Sequence, residues 1–169
     1  GKKAVLLSVS GALMGFNWIL LFEAYHYTSV ATATLCYYMA PVFVILASPF
    51  VFGEKIGAKK LLCVFGAVLG MVFVSGIFES GFGGIGELKG IVFGIFAAVL
   101  YASVVIMNKK VPEVKPFDKT LIQLGSSAAI LLPYIIVTED FSGIEIEPIA
   151  LVLLLVAGIV HTGIAYALY

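Results

Sequence analysis

Six apolar runs, separated by short polar stretches, set the pattern of the chain: Ala4–Tyr25, Ser29–Phe52, Leu61–Phe78, Leu88–Asn108, Thr120–Thr138 and Pro148–Tyr169. Crossing about 30 Å of hydrocarbon as a helix takes about 20 apolar residues, so each run is long enough to span a bilayer. Leu, Val, Ile, Ala, Gly and Phe are mixed along the runs without sustained alternation. The strands of a membrane β-barrel, with about 10 alternating residues each, fit poorly. The pattern predicts an all-α, polytopic membrane helix bundle with six transmembrane helices, A to F. The connections carry glycine, proline and charge: Gly53-Glu54-Lys55, Glu79 to Lys89, Lys109 to Lys119 and Glu139 to Glu147.

Lysine placement orients the helices. Lys2 and Lys3 precede A, Lys55, Lys59 and Lys60 separate B from C, and Lys109, Lys110, Lys115 and Lys119 separate D from E. The alternate connections hold His26, Glu79 with Glu87, and four acids from Glu139 to Glu147; Lys89 alone falls on that side. The positive-inside rule then puts residue 1 on the cytoplasmic side of a cell membrane, with A running outward and F inward. A signal peptide is the competing reading of the start, against which Asn17 and Glu23 interrupt the first run.

Composition narrows the class. The chain is 62% hydrophobic and 12% charged, with mean hydropathy +1.13, too little polar surface for a water-soluble globule. Ten lysines balance ten acids, which disfavours a nucleic-acid partner, and two cysteines exclude a disulfide scaffold. There is no arginine.

The segment Gly11–Phe22 can be laid on Gly158–Tyr169 at an offset of 147 residues. The two lie five helices apart and so cross in opposite directions, as in the inverted repeats common among secondary transporters. Glycine at position 1 and an apolar run ending at Tyr169 suggest the middle of a longer polypeptide. Residues 1–78 are then the last three helices of one five-helix repeat, 79–87 an extracytoplasmic linker, and 88–169 the first three helices of a second.

Tyr27-Thr28-Ser29-Val30-Ala31-Thr32-Ala33, Pro41 in mid-helix, and Gly53-Glu54-Lys55 at the end of B resemble the EamA family of the drug/metabolite transporter superfamily. Gly66-Ala-Val-Leu-Gly70 and Val160-His-Thr-Gly-Ile-Ala-Tyr166 fit as well. The resemblance covers the third to eighth of ten helices. It implies two inverted repeats around a central cavity, and export or exchange of amino acids or other small metabolites.

Ionisable groups inside a span cost roughly 2.5–3.5 kcal/mol at its centre and are functional candidates by default. Glu23, near the outer end of A, is a candidate for coupling transport to protons, because partial burial raises a carboxyl pKa. The alternative is a wet interfacial acid or a pair with His26. His161 in F is either a cavity hydrogen-bonder or tied to a neighbouring helix. Neutral polar and aromatic candidates are Asn17 and Trp18 in A, Tyr37 and Tyr38 in B, Tyr101, Ser103 and Asn108 in D, Gln123, Ser126 and Ser127 in E, and Thr162 and Tyr166 in F. Seven residues separate Tyr101 from Asn108 and four separate Thr162 from Tyr166, so each pair shares a helix face. Such residues line a mostly apolar solute pocket, or they bridge helices and form interfacial belts. Pro41 removes a backbone hydrogen bond in mid-span and is expected to kink B; Pro49 and Pro133 are tolerated bends. Gly-x-x-x-Gly at Gly11/Gly15, Gly66/Gly70 and Gly86/Gly90/Gly94 reads as close helix packing.

Gly81-Phe-Gly83-Gly-Ile-Gly86 satisfies a dinucleotide pattern but lacks the strand that the motif requires. No catalytic triad, HExxH or Walker loop is present, so neither an enzyme nor a cofactor or metal is expected. Every lysine falls at a helix end or in a loop, which argues against phosphorylated substrates. The expected partners are the lipid bilayer and a neutral, zwitterionic or cationic small molecule, with protons as the candidate coupling ion. A non-transporting membrane subunit is the alternative.

Overall fold

A computed structural model of the chain describes residues 1–74, 85–139 and 147–164, with backbone alone at 74, 85 and 161–164. Its elements are α1 (Lys2–Tyr27), α2 (Val30–Tyr37), α3 (Ala40–Phe52), α4 (Ala58–Val74), α5 (Ile85–Lys109), α6 (Pro116–Thr138) and α7 (Pro148–Val156), which continues as wider π-helical turns over Ala157–Ile164. Four stretches are long and apolar enough to cross a membrane: α1, α2 with α3, α5 and α6. They correspond to A, B, D and E. Described parts of C and F, α4 and α7, are helical and apolar but shorter; the ends of both runs lie outside the described residues.

Local chemistry sets the boundaries. Ser29 caps α2, its hydroxyl accepting the Thr32 N–H at 3.0 Å. Gly53 ends α3 in the left-handed region (φ 67°), its N–H bonded to the Pro49 carbonyl at 3.0 Å. Run B is broken at Tyr38 and Met39. Pro41 has no N–H to offer the Tyr37 carbonyl, and its ring crowds that carbonyl, so the helix stops and restarts with Pro41 in the first turn of α3. The expected kink is thus a break between two helices. α3 and α6 continue through Pro49 and Pro133.

The bundle is ordered α6, α1, α5, α2/α3, with α4 against the α2/α3 side. Side-chain pairings give directions. Lys3 meets Glu113 and Ser127 meets Gly11, so α1 and α6 run parallel; Asn17 meets Ala97 and Tyr27 meets Phe93, so α5 runs against α1. Small residues set the spacing. A Cβ on Gly11 would lie 2.5 Å from the Gln123 carbonyl oxygen, and one on Gly94 2.8 Å from Cys36 Cβ. Ala33, Ala97 and Ala98 are fully buried beside them. Among the described residues, nothing lies within 4 Å of a Cβ placed on Gly66 or Gly70, so that glycine pair packs against none of them.

The lysine-bearing connections gather at one end. Lys109 Nζ bonds Glu54 Oε1 at 2.7 Å and lies 4.1 Å from the Phe52 ring centroid, Lys60 approaches Glu54 Oε2 at 3.6 Å, and Lys3 meets Glu113 at 3.0 Å. The hydrogen bond from Lys109 holds the Glu54 carboxyl below the usual carboxylate range, Lys60 adding to it. A lowered carboxyl pKa contributes stability above the ordinary value that is lost as pH falls through the lowered one. The thermal midpoint in detergent is therefore expected to fall slightly as pH is taken from neutral to about 3, the contribution being screened at this exposed pair. Glu54→Gln should lower the neutral midpoint and flatten the acid step; an unchanged pH profile in that variant excludes Glu54 as its source.

Candidate functional site

The polar side chains that run A could not place in water lie on its buried face. Leu7, Ser10, Gly11, Met14, Gly15, Asn17 and Ala24 form one stripe at helical spacing, against α5 and α6. From α6, Gln123 and Ser127 are the buried residues. Between these helices lies a cleft of about 90 Å³ lined by Met14, Tyr101, Asn108, Thr120, Gln123 and Leu124.

Hydrogen bonding fixes how the cleft is built. The Ser10 hydroxyl donates its one proton to the Leu7 carbonyl at 2.9 Å, so towards Gln123 it accepts. Gln123 therefore presents its amide nitrogen, donating to Ser10 Oγ at 2.6 Å and to Asn108 Oδ1 at 2.7 Å. Ser127 shares its proton between the carbonyls of Gly11 (2.7 Å) and Gln123 (2.8 Å), fastening α6 to α1. Asn108 Nδ2 and Gln123 Oε1 have no partner among the described residues, so the cleft holds an amide donor group and an amide carbonyl acceptor beside the Thr120 and Tyr101 hydroxyls.

Asn17 is fully buried one turn beyond Met14, its Nδ2 on the Ala97 carbonyl at 2.6 Å and its Oδ1 without a partner among the described residues. Tyr101 connects the cleft to the helix break, its ring 5.5 Å from that of Tyr37 and inclined at 50°. Tyr37 also meets Tyr38, ring centroids 6.4 Å apart. Tyr38 and Pro41 are exposed on the outer side of α2/α3. Trp18 is half-buried and is not a wall of the cleft.

Glu23 is not brought to this site. Nine residues separate it from Met14, about 14 Å along the helix. Its Oε1 accepts from Tyr134 at 3.2 Å and its Oε2 lies 3.7 Å from His26 Nδ1, with about a third of the side chain exposed. Beyond the same end of the bundle, Lys89 donates to the Tyr27 hydroxyl at 2.8 Å. Ser103 turns back to the Val99 carbonyl, and Ser126 lies against Gly11. The side chains of His161 and Thr162, and all of Tyr166, lie outside the described residues, as does the glycine pattern from Gly81 to Gly84. No His, Cys, Asp or Glu cluster among the described residues could hold a metal.

Sequence pattern alone missed Ser10, Met14 and Thr120. Ser10 is seven residues before Asn17, the same spacing that joins Tyr101 to Asn108, and that periodicity was available to find it. It also missed the true start of α6. With Pro116 as the first helical residue, Lys119 stands inside the first turn of a spanning helix rather than in a loop.

The fold and the site together define a polytopic helical membrane protein with a small polar cleft inside an otherwise apolar bundle. The family model described as "EamA-like transporter family" matches residues 2–76 and 88–169, and the chain belongs to that family. It is 31% identical over 172 residues to "Uncharacterized transporter YxxF" of Bacillus subtilis (strain 168), covering 99% of this chain and 53% of that relative. An "Uncharacterized transporter" of Archaeoglobus fulgidus is 36% identical over 109 residues, 63% of this chain and 37% of its own. Another, of Clostridium kluyveri, is 28% identical over 176 residues, 100% of this chain and 56% of its own. The chain spans about half the length of the first of these relatives. No solved structure matches.

Proposed function

We infer that the full-length polypeptide is a secondary-active transporter that exports or exchanges small metabolites by alternating access, with amino acids and similar neutral or zwitterionic solutes as its substrates. The observation that carries this reading is the cleft of Tyr101, Asn108, Thr120 and Gln123. It is a polar pocket between spanning helices, close to their lysine-bearing ends, and a hydrogen-bonding group enclosed there without a partner is costly unless it serves water or a ligand. The break ahead of Pro41 supports it, because interrupted helices at membrane depth belong where a cavity needs shaping. The family match in two segments, 2–76 and 88–169, supports two inverted repeats divided near residues 79–87. Convergence of the lysine-bearing connections at one end supports a multi-pass plasma-membrane protein with residue 1 inside. This reading needs no enzymatic step. Glu23, with Tyr134 and His26 beside it, is the carboxylate proposed to carry a coupling proton.

Reconstituted in liposomes, the full-length polypeptide should show saturable counterflow of a small amino acid or a neutral or cationic analogue. Asn108→Ala, which removes both the cleft's donor and the acceptor that Gln123 uses, should cut that flux at least about fivefold while the protein still folds. Flux equal to protein-free liposomes across the whole solute series would sink the transport reading.

A further inference from the structure

All ten lysines lie in described residues, and nine of them are exposed; Lys119 alone is half-buried. It stands in the first turn of α6, next to the cleft residue Thr120. Its Nζ donates to the backbone carbonyl of Asn108 at 3.3 Å. No carboxylate lies within 4.0 Å of it among the described residues. Glu113, the acid its charge reaches, is bonded instead to Lys3 at 3.0 Å. Asp118, its neighbour in sequence, lines a separate groove with Gly1, Lys3 and Leu7. A cation partly withdrawn from water and held by one carbonyl is undercompensated, and a carboxylate is the group that would compensate it.

We propose that Lys119 is the anion-recognising residue of the cleft, selecting solutes that carry a carboxylate, which it grips together with the Asn108 side-chain amide. This rests on the transport reading above and narrows its substrate class to small amino acids and short carboxylic acids. Lys119 is not itself a wall of the cleft, but its Nζ is held at the backbone of the lining residue Asn108, so an ammonium and an amide donor stand together to meet the two oxygens of a carboxylate, and charge-assisted hydrogen bonds are the stronger kind. The remaining walls, Met14, Leu124 and the Tyr101 ring, suit a short apolar substituent. The cleft, about 90 Å³, is small, which suits a short solute. A single lysine also lacks the charge to hold a phosphate dianion stripped of water.

The test uses the full-length polypeptide in detergent, titrated with L-alanine and propionate and, in parallel, with L-alaninamide and propionamide, reading thermal stabilisation. The same solutes are followed as flux in liposomes. Acids should stabilise the wild type and amides should not. Lys119→Gln should raise the half-saturating concentration of the acids at least about tenfold, and Lys119→Arg should stay within about threefold of wild type. A Lys119→Gln variant that binds acids like wild type overturns the assignment of Lys119. Amides that bind as well as acids overturn carboxylate selection. Flux of neutral or cationic solutes without any acid binding overturns the proposal but leaves the transport reading standing, whereas absence of all flux sinks both.

Discussion

Gly11→Leu is expected to destabilise the bundle severely. A Cβ at this position would lie 2.5 Å from the Gln123 carbonyl oxygen, 2.7 Å from Ser126 Cβ and 2.8 Å from Gln123 Cα. Two of those three atoms belong to the backbone of α6, so no rotamer change relieves the clash and the helices must separate. Separation breaks the Ser127 bond to the Gly11 carbonyl and the Gln123 bond to Ser10. Overpacking costs about 1–3 kcal/mol, and each interhelical hydrogen bond in a membrane is worth about 0.6–2 kcal/mol. Together about 2–7 kcal/mol is at stake, against a total stability of about 5–15 kcal/mol. Size-exclusion chromatography in detergent should show the monodisperse peak lost or the thermal midpoint lowered by about 10 °C or more. Gly125→Leu, on α6 with open space around it, should leave both unchanged. Equal damage from the two substitutions would mean that the α1–α6 contact is not what Gly11 protects.

Gly11 also shows what the sequence could and could not convey. Spacing identified it with Gly15 as a packing pair, but the same spacing offered Gly66 and Gly70, which pack against none of the described residues. Which glycines pack depends on how helices are arranged in three dimensions, and one helix's periodicity carries no information about its neighbour. Run lengths and lysine positions gave the helices and their common end, because hydrophobic thickness and charge act along the chain. Pro41 pointed to a disturbance in B. Its outcome, a short interruption of the α-helical ladder at Tyr38 and Met39, both still in the right-handed region, depended on whether the rest of the turn could restore the ladder. Tyr101 and Asn108 share a wall as their spacing requires, yet nothing in the sequence tied them to Gln123 across the α5–α6 connection. Lys119 was assigned to a loop because polarity was read in place of the proline that starts the helix.

Gln123 is where that long-range information converges, and its removal carries the second large effect. Gln123→Leu keeps the volume but deletes both donors, leaving Asn108 Oδ1 and the second side of Ser10 Oγ without theirs. Ser10 still bonds the Leu7 carbonyl, and Asn108 borders the cleft, so water can satisfy part of the loss. Stability is therefore expected to fall by about 1–2 kcal/mol, a shift of about 2–8 °C in the thermal midpoint, with the fold retained. Transport should suffer far more. Asn108 loses the bond that orients its side chain, and a misplaced polar group in a site of this size forfeits most of its recognition; flux should drop by at least about thirtyfold. Gln123→Glu separates position from charge. Its carboxylate can accept from Asn108 once the amide turns over, but it places an acid inside the span at a cost of roughly 2.5–3.5 kcal/mol unless it is paired or protonated. Lys119 stands four residues before it on α6, with no carboxylate partner among the described residues, so the variant should lose flux of carboxylate solutes more completely than of neutral ones. Flux within twofold of wild type in Gln123→Leu would show that the cleft is not on the solute's path.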